Sequence, residues 1–297
     1  MTTPTSSRRE RRAAGVAPRT KHSRAGRNLP AAIGVGLSLG AVLIASLIFR
    51  KEAFLGVVTV AACIAIWELR DGLAQGKINV PLVPSIVGAI TMITASFVGG
   101  GQALTVCFGL TCISVLLWRV ADGISSGAIR DIAGGIFVAA YVPLLASFSS
   151  LMLAAPDGAK RVFVFLIVTV CSDVGGYALG VATGKHPMAP SVSPKKSWEG
   201  AAGSAVACVI GGVATVMLML GGPWWVGAVV GLGVVVAATV GDLTESTIKR
   251  DLGIKDMGTI LPGHGGVMDR LDSMLLSAPV VWALLTVLVP IAVVPVP

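Results

Sequence analysis

The sequence predicts an all-α protein that crosses a membrane many times. Its 297 residues are 54% hydrophobic and only 13% charged, and its mean hydropathy is +0.84. Apolar runs of about twenty residues recur along the chain, which is the length that an α-helix needs to cross a bilayer. The 37 glycines agree with this class, because small residues let membrane helices approach each other closely.

The chain begins with a basic segment, residues 1–28, in which Glu10 is the only acidic residue. Its basic residues are Arg8, Arg9, Arg11, Arg12, Arg19, Lys21, Arg24 and Arg27. Polar residues, Pro and Gly between them leave nothing to build a core, so we expect a disordered cytoplasmic tail that anchors the topology. The long basic region and the lack of a convincing cleavage site argue against a signal peptide.

Nine apolar spans are predicted in residues 29–297, which we treat as one transmembrane catalytic domain. They cover residues 29–49, 53–69, 80–99, 103–118, 132–154, 162–184, 200–220, 224–241 and 271–291. The second and fourth are short, which leaves eight or ten spans open. We expect the first five spans to form a scaffold and residues 162–291 to carry the active-site helices and loops. Two small-xxx-small patterns, Gly36 with Gly40 and Gly227 with Gly231, predict close helix contacts.

The connecting loops predict the orientation. Basic residues concentrate in the loops at residues 70–78, 119–131, 185–199 and 249–270, whereas the opposite loops contribute little beyond Arg50, Lys51, Lys160 and Arg161. By the positive-inside rule the first set is cytosolic. The sequence therefore predicts a multi-pass protein of the cell membrane with its N-terminus in the cytoplasm and its C-terminus outside.

A carboxylate, Asp173, interrupts the sixth span, with Ser172 before it and Tyr177 about one turn later. A charge at such depth costs on the order of 3 kcal/mol or more, so it should face the bundle interior or a wet cavity. It either makes an interhelical hydrogen bond that holds the bundle or belongs to a polar site. We expect the polar site.

Charged residues crowd the segment from residue 242 to residue 272. One helix face carries four polar residues at i, i+3, i+4 and i+7, namely Asp242, Glu245, Ser246 and Lys249. Asp269 and Asp272 also share a face, at the start of the ninth span. The helix dipole alone would favour that pair, but Asp242 and Asp269 flank the same loop on consecutive helices. Two hard oxygen donors beside basic residues suit Mg²⁺ held partly by substrate phosphates, so we predict that Asp242 and Asp269 bind metal.

Two loops supply cations and flexible backbone for phosphate groups. The later loop contains Lys249, Arg250, Lys255 and Arg270 together with the glycine-rich stretch 262–266. His264 in that stretch is either an ordinary loop histidine or a contact to phosphate or base. The earlier loop, residues 185–199, holds three prolines that favour an ordered, extended path. Its Lys195, Lys196 and Ser197 could engage phosphates.

The sequence lacks the motifs that are typical of several other classes of protein. No Ser-His-Asp order, HExxH, Walker lysine loop or GxGxxG is present, and none of the five cysteines forms a CxxC pair. The net charge of +8 does not indicate a nucleic-acid partner, because much of it lies in residues 1–28.

At this point the sequence resembles the phosphatidate cytidylyltransferases (CDP-diacylglycerol synthases). The signature stretches are Ser246-Thr247-Ile248-Lys249-Arg250, Lys255-Asp256, and Leu261-Pro262-Gly263-His264-Gly265-Gly266-Val267-Met268-Asp269-Arg270-Leu271-Asp272. The loop at residues 193–200 is similar to the second typical segment of the family, and Asp173 and Tyr177 match an upstream Asp and Tyr. The resemblance covers roughly residues 170–276.

The resemblance implies that CTP and phosphatidate condense to CDP-diacylglycerol and pyrophosphate in phospholipid synthesis. It also implies a requirement for Mg²⁺, with a second cation left open, and a homodimeric membrane enzyme without a nucleic-acid partner. Asp242, Asp269, Lys249 and Asp272 match catalytic positions, the first two as metal ligands. The implied substrate-binding residues are Ser246, Arg250, Lys255, Asp256, His264, Gly265, Gly266, Arg270, Lys195, Lys196, Ser197, Asp173 and Tyr177.

Two other functions remain as alternatives. The same chemistry could serve a different membrane lipid, such as a polyprenyl phosphate or a long-chain alcohol, by cytidylyl or kinase-type transfer. An anion transporter would also use an intramembrane carboxylate, but it predicts inverted repeats and charges near the midplane of the membrane. Here the charges gather at one membrane face, which favours the transferase.

Overall fold

The computed structural model describes residues 29–123, 126–258, 260 and 265–290. The side chains of residues 29–37, 39 and 195 also lie outside the description, as do the predicted tail 1–28 and His264. Within these limits the protein is almost wholly helical, as the sequence predicts. The helices are α1 (Leu29–Phe49), α2 (Lys51–Gln75), α3 (Leu82–Ala121), α4 (Ala128–Ala139), α5 (Leu145–Ala154), α6 (Gly158–Thr183), α7 (Trp198–Thr215), α8 (Trp224–Asp251) and α9 (Met268–Leu288).

Two π-helical segments extend these helices without a break. Ala140–Leu144 joins α4 to α5, so that one continuous helical rod runs from residue 128 to residue 154. Val216–Leu220 continues α7 to the left-handed Gly221. Pro143 lies in the first π segment, where its missing N–H interrupts the regular ladder of helical hydrogen bonds.

Seven helical rods among the described residues are long and apolar enough to cross a membrane. The rod α3 has 40 residues and would be about 60 Å long if straight, which is twice the hydrocarbon thickness. It reverses at Gly100, whose φ of 66° is left-handed, and Gly88 consequently packs against Thr111. Helix α3 is therefore a helical hairpin, in agreement with the two spans predicted at residues 80–99 and 103–118. The predicted total of nine spans is not confirmed as a count.

Four connections lie together on one side of the bundle. They follow α2, the hairpin α3, α6 and α8. The N–H of Asn79 donates a 2.8 Å hydrogen bond to Asp131, Gly76 packs against Leu252, and Arg250 at the end of α8 hydrogen-bonds the connection after α6. These are the four loops that the sequence predicts to share one membrane face.

The opposite ends of the helices are joined by other contacts. Lys51 donates a 2.8 Å hydrogen bond to the carbonyl of Ala155. The buried Arg161 donates to the carbonyls of Leu285 and Val289 at 2.9 and 2.6 Å. The bundle therefore has two chemically distinct ends, and the charged residues of the predicted site lie at the first.

Glycines bring α6, α7, α8 and α9 into close contact. Gly227 and Gly231 of α8 leave no room for a side chain, because the backbone of α7 at Gly212 and Cys208 packs directly on them. This confirms the close contact predicted from that pair. A side chain added at Gly40 of the other predicted pair would meet no other part of the described structure within 4 Å. The contact expected from that second pattern is therefore not seen at Gly40.

Candidate active site

The connection after α6 folds into a β-hairpin, so it is ordered as predicted. Strand β1 (Pro187–Ala189) pairs antiparallel with β2 (Ser193–Ser197). The Ser197 hydroxyl accepts a 3.1 Å hydrogen bond from the N–H of Gly200 and caps α7. The Glu199 carboxylate pairs with the ring of His186 at 2.6 Å and accepts the N–H of Lys185. These contacts fix β2, which carries Lys196, over the end of α8.

A cavity of about 230 Å³ opens between α6, α7, α8 and this hairpin. Five predicted site residues line it, and they are Asp173, Tyr177, Lys196, Ser197 and Asp242. Ser172, Ser204 and Thr239 add further hydroxyl groups to the lining. The structure therefore brings the intramembrane carboxylate of α6 together with residues of both predicted loops.

One ion pair crosses the cavity. The Lys196 ammonium donates a hydrogen bond to the Asp242 carboxylate, and each side chain is about one quarter exposed. Asp173 lies within electrostatic range of both residues and of Arg270. The cavity thus combines two carboxylates with basic groups, an arrangement suited to a ligand that carries both phosphates and a cation.

Carboxyl groups also meet where α8 packs on α9. The Asp272 carboxyl lies within hydrogen-bonding range of the carboxyls of Asp242 and Glu245. Gly241 permits this approach, because the backbone of α9 at Asp272 occupies the place of a side chain. No donor among the described residues reaches the buried Oε1 of Glu245. Acceptor oxygens that face each other without a donor repel unless a proton or a cation joins them.

Lys249 and Asp269 form a second charge cluster in the same interface, nearer to the loop that joins α8 to α9. The Lys249 ammonium donates to Glu245 Oε2 at 2.7 Å and to Asp269 Oδ1 at 2.8 Å. Asp269 also accepts the N–H groups of Met257 and Gly266, at 3.0 and 2.7 Å to Oδ2. Its oxygens are therefore occupied by protein donors, and Lys249 is occupied by two carboxylates.

Asp242 and Asp269, which the sequence pairs as metal ligands, have different hydrogen-bonding partners. Asp242 faces Lys196 and Asp272, whereas Asp269 faces Lys249 and the loop backbone. In the described part of the chain, no three His, Cys, Asp or Glu side chains are arranged to hold a metal ion. A cation here would need oxygen ligands from the substrate as well, which is the usual manner of Mg²⁺.

The other predicted residues surround these clusters. Ser246 is half-buried on α8, while Arg250, Lys255, Asp256 and Arg270 are exposed. Arg250 donates a 3.4 Å hydrogen bond to the carbonyl of Val192 in the hairpin.

The glycine-rich loop meets the second cluster through its last two glycines. Gly265 has a left-handed φ of 82°, and a side chain there would meet Asp269 Oδ2 at 2.8 Å. Gly266 donates its N–H to the same oxygen. His264 and the side chain of Lys195 lie outside the described residues, so their predicted roles remain predictions.

The structure adds three buried residues that the sequence does not predict as site residues, namely Glu245, Tyr141 and Glu68. Glu245 shares a helix face with Asp242 and Lys249, so its helical spacing in the sequence could have identified it as a site residue. Tyr141, in the first π segment, is buried within electrostatic range of Asp242, Glu245 and Asp272. The sequence gives no signal for Tyr141, because this residue lies far from the signature stretches at residues 246–272. Glu68 of α2 contacts the glycine-rich loop, and its signal is a carboxylate at the end of an apolar run.

The chain is similar to known proteins over most of its length. The sequence model of the cytidylyltransferase family matches residues 30–288. A phosphatidate cytidylyltransferase of Mycobacterium bovis is 42% identical over 289 residues, which cover 93% of this chain and 94% of that protein. The enzyme of that name from Mycobacterium leprae is 43% identical over 280 residues, or 89% and 90% of the two chains. One from Brucella suis is 35% identical over 185 residues, or 61% and 65%. The chain therefore belongs to the cytidylyltransferase family.

Proposed function

We propose that the protein transfers the cytidylyl group of CTP to phosphatidate and releases pyrophosphate, which makes it a phosphatidate cytidylyltransferase. The observation that carries this proposal is the cavity in which Lys196 meets Asp242 and Asp173 at one end of the membrane helices. Relatives with this name match the chain over nine tenths of its length. CTP and phosphatidate are thus the substrates, and the bilayer holds the lipid.

The reaction needs charge neutralisation and alignment more than a protein nucleophile. A phosphate oxygen of phosphatidate attacks the α-phosphorus of CTP, and a new O–P bond forms. The bond from that phosphorus to the bridging oxygen breaks, and pyrophosphate leaves with the electron pair. Both reactants are anions, so fixed cations lower the barrier by stabilising the charge that moves to the leaving group. Lys196 in the cavity and Arg270 near Asp173 are suited to this role.

We propose Mg²⁺ as the cofactor, and the donor chemistry fits it. Asp242 and Asp272 offer hard oxygen atoms that face each other, and Glu245 Oε1 lacks a donor among the described residues. A bound Mg²⁺ would supply a positive charge that polarises substrate phosphates. We favour Asp242 with Asp272 as its ligands, because the Asp269 oxygens already accept three protein donors. Asp242 with Asp269 is the alternative that the sequence predicts, and a second cation remains open.

We further propose that the four connections on the site end of the bundle face the cytosol. Their basic residues outnumber those of the other end, which supports this orientation. The N-terminus is then cytoplasmic and the C-terminus outside. A homodimer without a nucleic-acid partner follows from the family resemblance, and crosslinking of purified protein in detergent would test the dimer.

The decisive test is a liposome assay of purified protein with labelled CTP. We expect labelled CDP-diacylglycerol when the vesicles contain phosphatidate, and no labelled lipid when they contain only polyprenyl phosphate or a long-chain alcohol. Preference for one of the latter would assign the protein to another lipid. Absence of transfer to any of these lipids would refute the proposed reaction.

A further inference from the structure

The buried Glu68 joins the first half of the chain to the loop before α9. Its side chain leaves α2 near the site end of the bundle and is 3% exposed. Glu68 Oε2 accepts a 2.8 Å hydrogen bond from the N–H of Met268, the first residue of α9, and the carboxylate also accepts the N–H of Val267. It thereby occupies two of the donors that a helix N-terminus leaves unpaired.

The surrounding loop is shaped to fit this carboxylate. A side chain at Gly258 or at Gly266 would overlap the Glu68 carboxylate. Both glycines have negative φ, since neither is among the positive-φ residues of the described chain. Their lack of a side chain is therefore required by the carboxylate and not by the backbone conformation.

The contact leads directly to the charge cluster of the active site. Gly266, which packs on Glu68, donates its N–H to Asp269, and Asp269 binds Lys249. Glu68 also lies within electrostatic range of Asp269. The loop backbone is thus held by two carboxylates, since Glu68 accepts the N–H of Met268 and Asp269 accepts the N–H groups of Met257 and Gly266.

A hydrophobic residue would fill the position of Glu68 at lower cost if packing were its only role. The carboxylate is buried against Gly258, Gly266 and the start of α9, and no donor among the described residues reaches its Oε1. Burial of a partly unpaired charge opposes folding. Such a cost is typical of residues that serve a functional site.

We propose that Glu68 is a positioning residue for nucleotide binding, which acts by holding residues 265–269 in place. The role in CTP binding rests on the proposed function, whereas the role in holding the loop does not. Phosphatidate binding should be independent of Glu68, because the bilayer holds the lipid, whereas Glu68 contacts the loop before α9 and the first residue of that helix.

The test compares three variants of the full-length protein in detergent or vesicles. Glu68→Ala should raise the KM for CTP about 10-fold or more, and it should leave the KM for phosphatidate within about 2-fold of the wild type. Glu68→Gln keeps one acceptor oxygen and the size of the side chain, so it should recover most of the CTP affinity. Glu52→Gln, an exposed position on the same helix, is the matched control and should change neither constant.

A second measurement does not depend on activity. In hydrogen–deuterium exchange without substrate, the amides of residues 265–269 should exchange faster in Glu68→Ala than in the wild type or in Glu68→Gln. If the wild type proved inactive with CTP, this result would still support the loop contact. A Glu68→Ala protein with unchanged exchange and unchanged KM for CTP would overturn the proposal.

A further variant protects the test if Glu68→Ala does not accumulate. Gly258→Ala displaces the carboxylate while Glu68 stays in place, and it should raise the KM for CTP selectively. The control is Gly56→Ala on α2, where the added methyl group meets no atom within 4 Å. Equal effects of Gly258→Ala on both substrates would show a purely structural role and would contradict the proposal.

Discussion

The Lys249 ammonium donates a 2.8 Å hydrogen bond to the Asp269 carboxylate and so joins the last turn of α8 to the first turn of α9. The same nitrogen binds Glu245, and only 15% of the Lys249 side chain is exposed. A single cation therefore compensates two carboxylates that have little access to water. The helix pair can keep its acidic residues close together because this lysine lies between them.

Removal of that cation should destabilise the protein and abolish its activity. Lys249→Met leaves Glu245 and Asp269 without their shared partner, and breaking a buried pair costs about 3 kcal/mol or more. We expect a clearly lower midpoint of thermal unfolding in detergent, with activity below a hundredth of the wild type. Lys160→Met, at an exposed position of α6, is the control. A variant of Lys249 with wild-type stability and turnover would contradict this account of the cluster.

Chelation and two aspartate variants test the metal. EDTA should stop transfer and added Mg²⁺ should restore it. Asp242→Asn and Asp272→Asn should each raise the Mg²⁺ concentration for half-maximal activity about 10-fold or more, since each loses a charged ligand. The control Asp71→Asn removes an exposed carboxylate that pairs with its neighbour Arg70. Activity that survives chelation would exclude the metal.

Asp269→Asn distinguishes the two ligand assignments. If Asp269 holds the loop, the variant should lose about 100-fold in activity, and excess Mg²⁺ should not restore it. The amide nitrogen of Asn would face N–H donors where the carboxylate accepts them. Recovery at high Mg²⁺ would instead assign the metal to Asp242 and Asp269.

Substitution of Lys196 should weaken CTP binding more than it affects lipid binding or protein stability. Lys196→Gln removes the ammonium that lines the cavity and leaves the β-hairpin contacts of Ser197 and Glu199 unchanged. We expect the KM for CTP to rise about 10-fold or more, because a charge-assisted contact to phosphate is lost. Lys185→Gln, exposed in the same connection, should behave as the wild type. Equal kinetics of both variants would remove Lys196 from the site.

The orientation predicts which introduced cysteines react from outside the cell. With a membrane-impermeant maleimide on intact cells, Lys160→Cys should be labelled and Lys185→Cys should not. Both positions are exposed, and all five native cysteines lie within helices, so the unmodified chain provides the background. Lysed cells should label both variants. The reverse pattern on intact cells would invert the topology.

The class of fold could be predicted because hydropathy directly reflects the bilayer. Even the reversal within the long rod α3 appears in the sequence, since two apolar spans meet there with Gly99, Gly100 and Gly101 between them. The predicted span at residues 132–154 lies within the continuous helix that passes through Pro143. The π segment in that helix could not be predicted. Hydropathy does not report how hydrogen bonds shift around a proline.

The composition of the site was predictable, but its pairing was not. Asp242, Lys249 and Asp269 follow from charge and helical spacing, which describe one helix at a time. Which carboxylate pairs with which cation depends on the axial offset between α8 and α9. Gly241 determines that offset, because it lets the backbone of α9 at Asp272 pack directly on α8. Glu68 shows the same limit over a longer distance, because no local pattern links α2 to a loop 200 positions later.

The Glu68–Met268 hydrogen bond also bears on how the protein is made. It joins residues that the ribosome synthesises 200 positions apart, and α9 is the last helix among the described residues. Helices α2 to α8 are therefore synthesised before Glu68 can acquire its partner at the start of α9. A nascent chain that stops before α9 carries Asp242 and Lys196 already, yet it lacks the final helix that completes the charge clusters. Both charge clusters are thus complete only after α9 has been synthesised, and we expect chains that stop before α9 to be inactive.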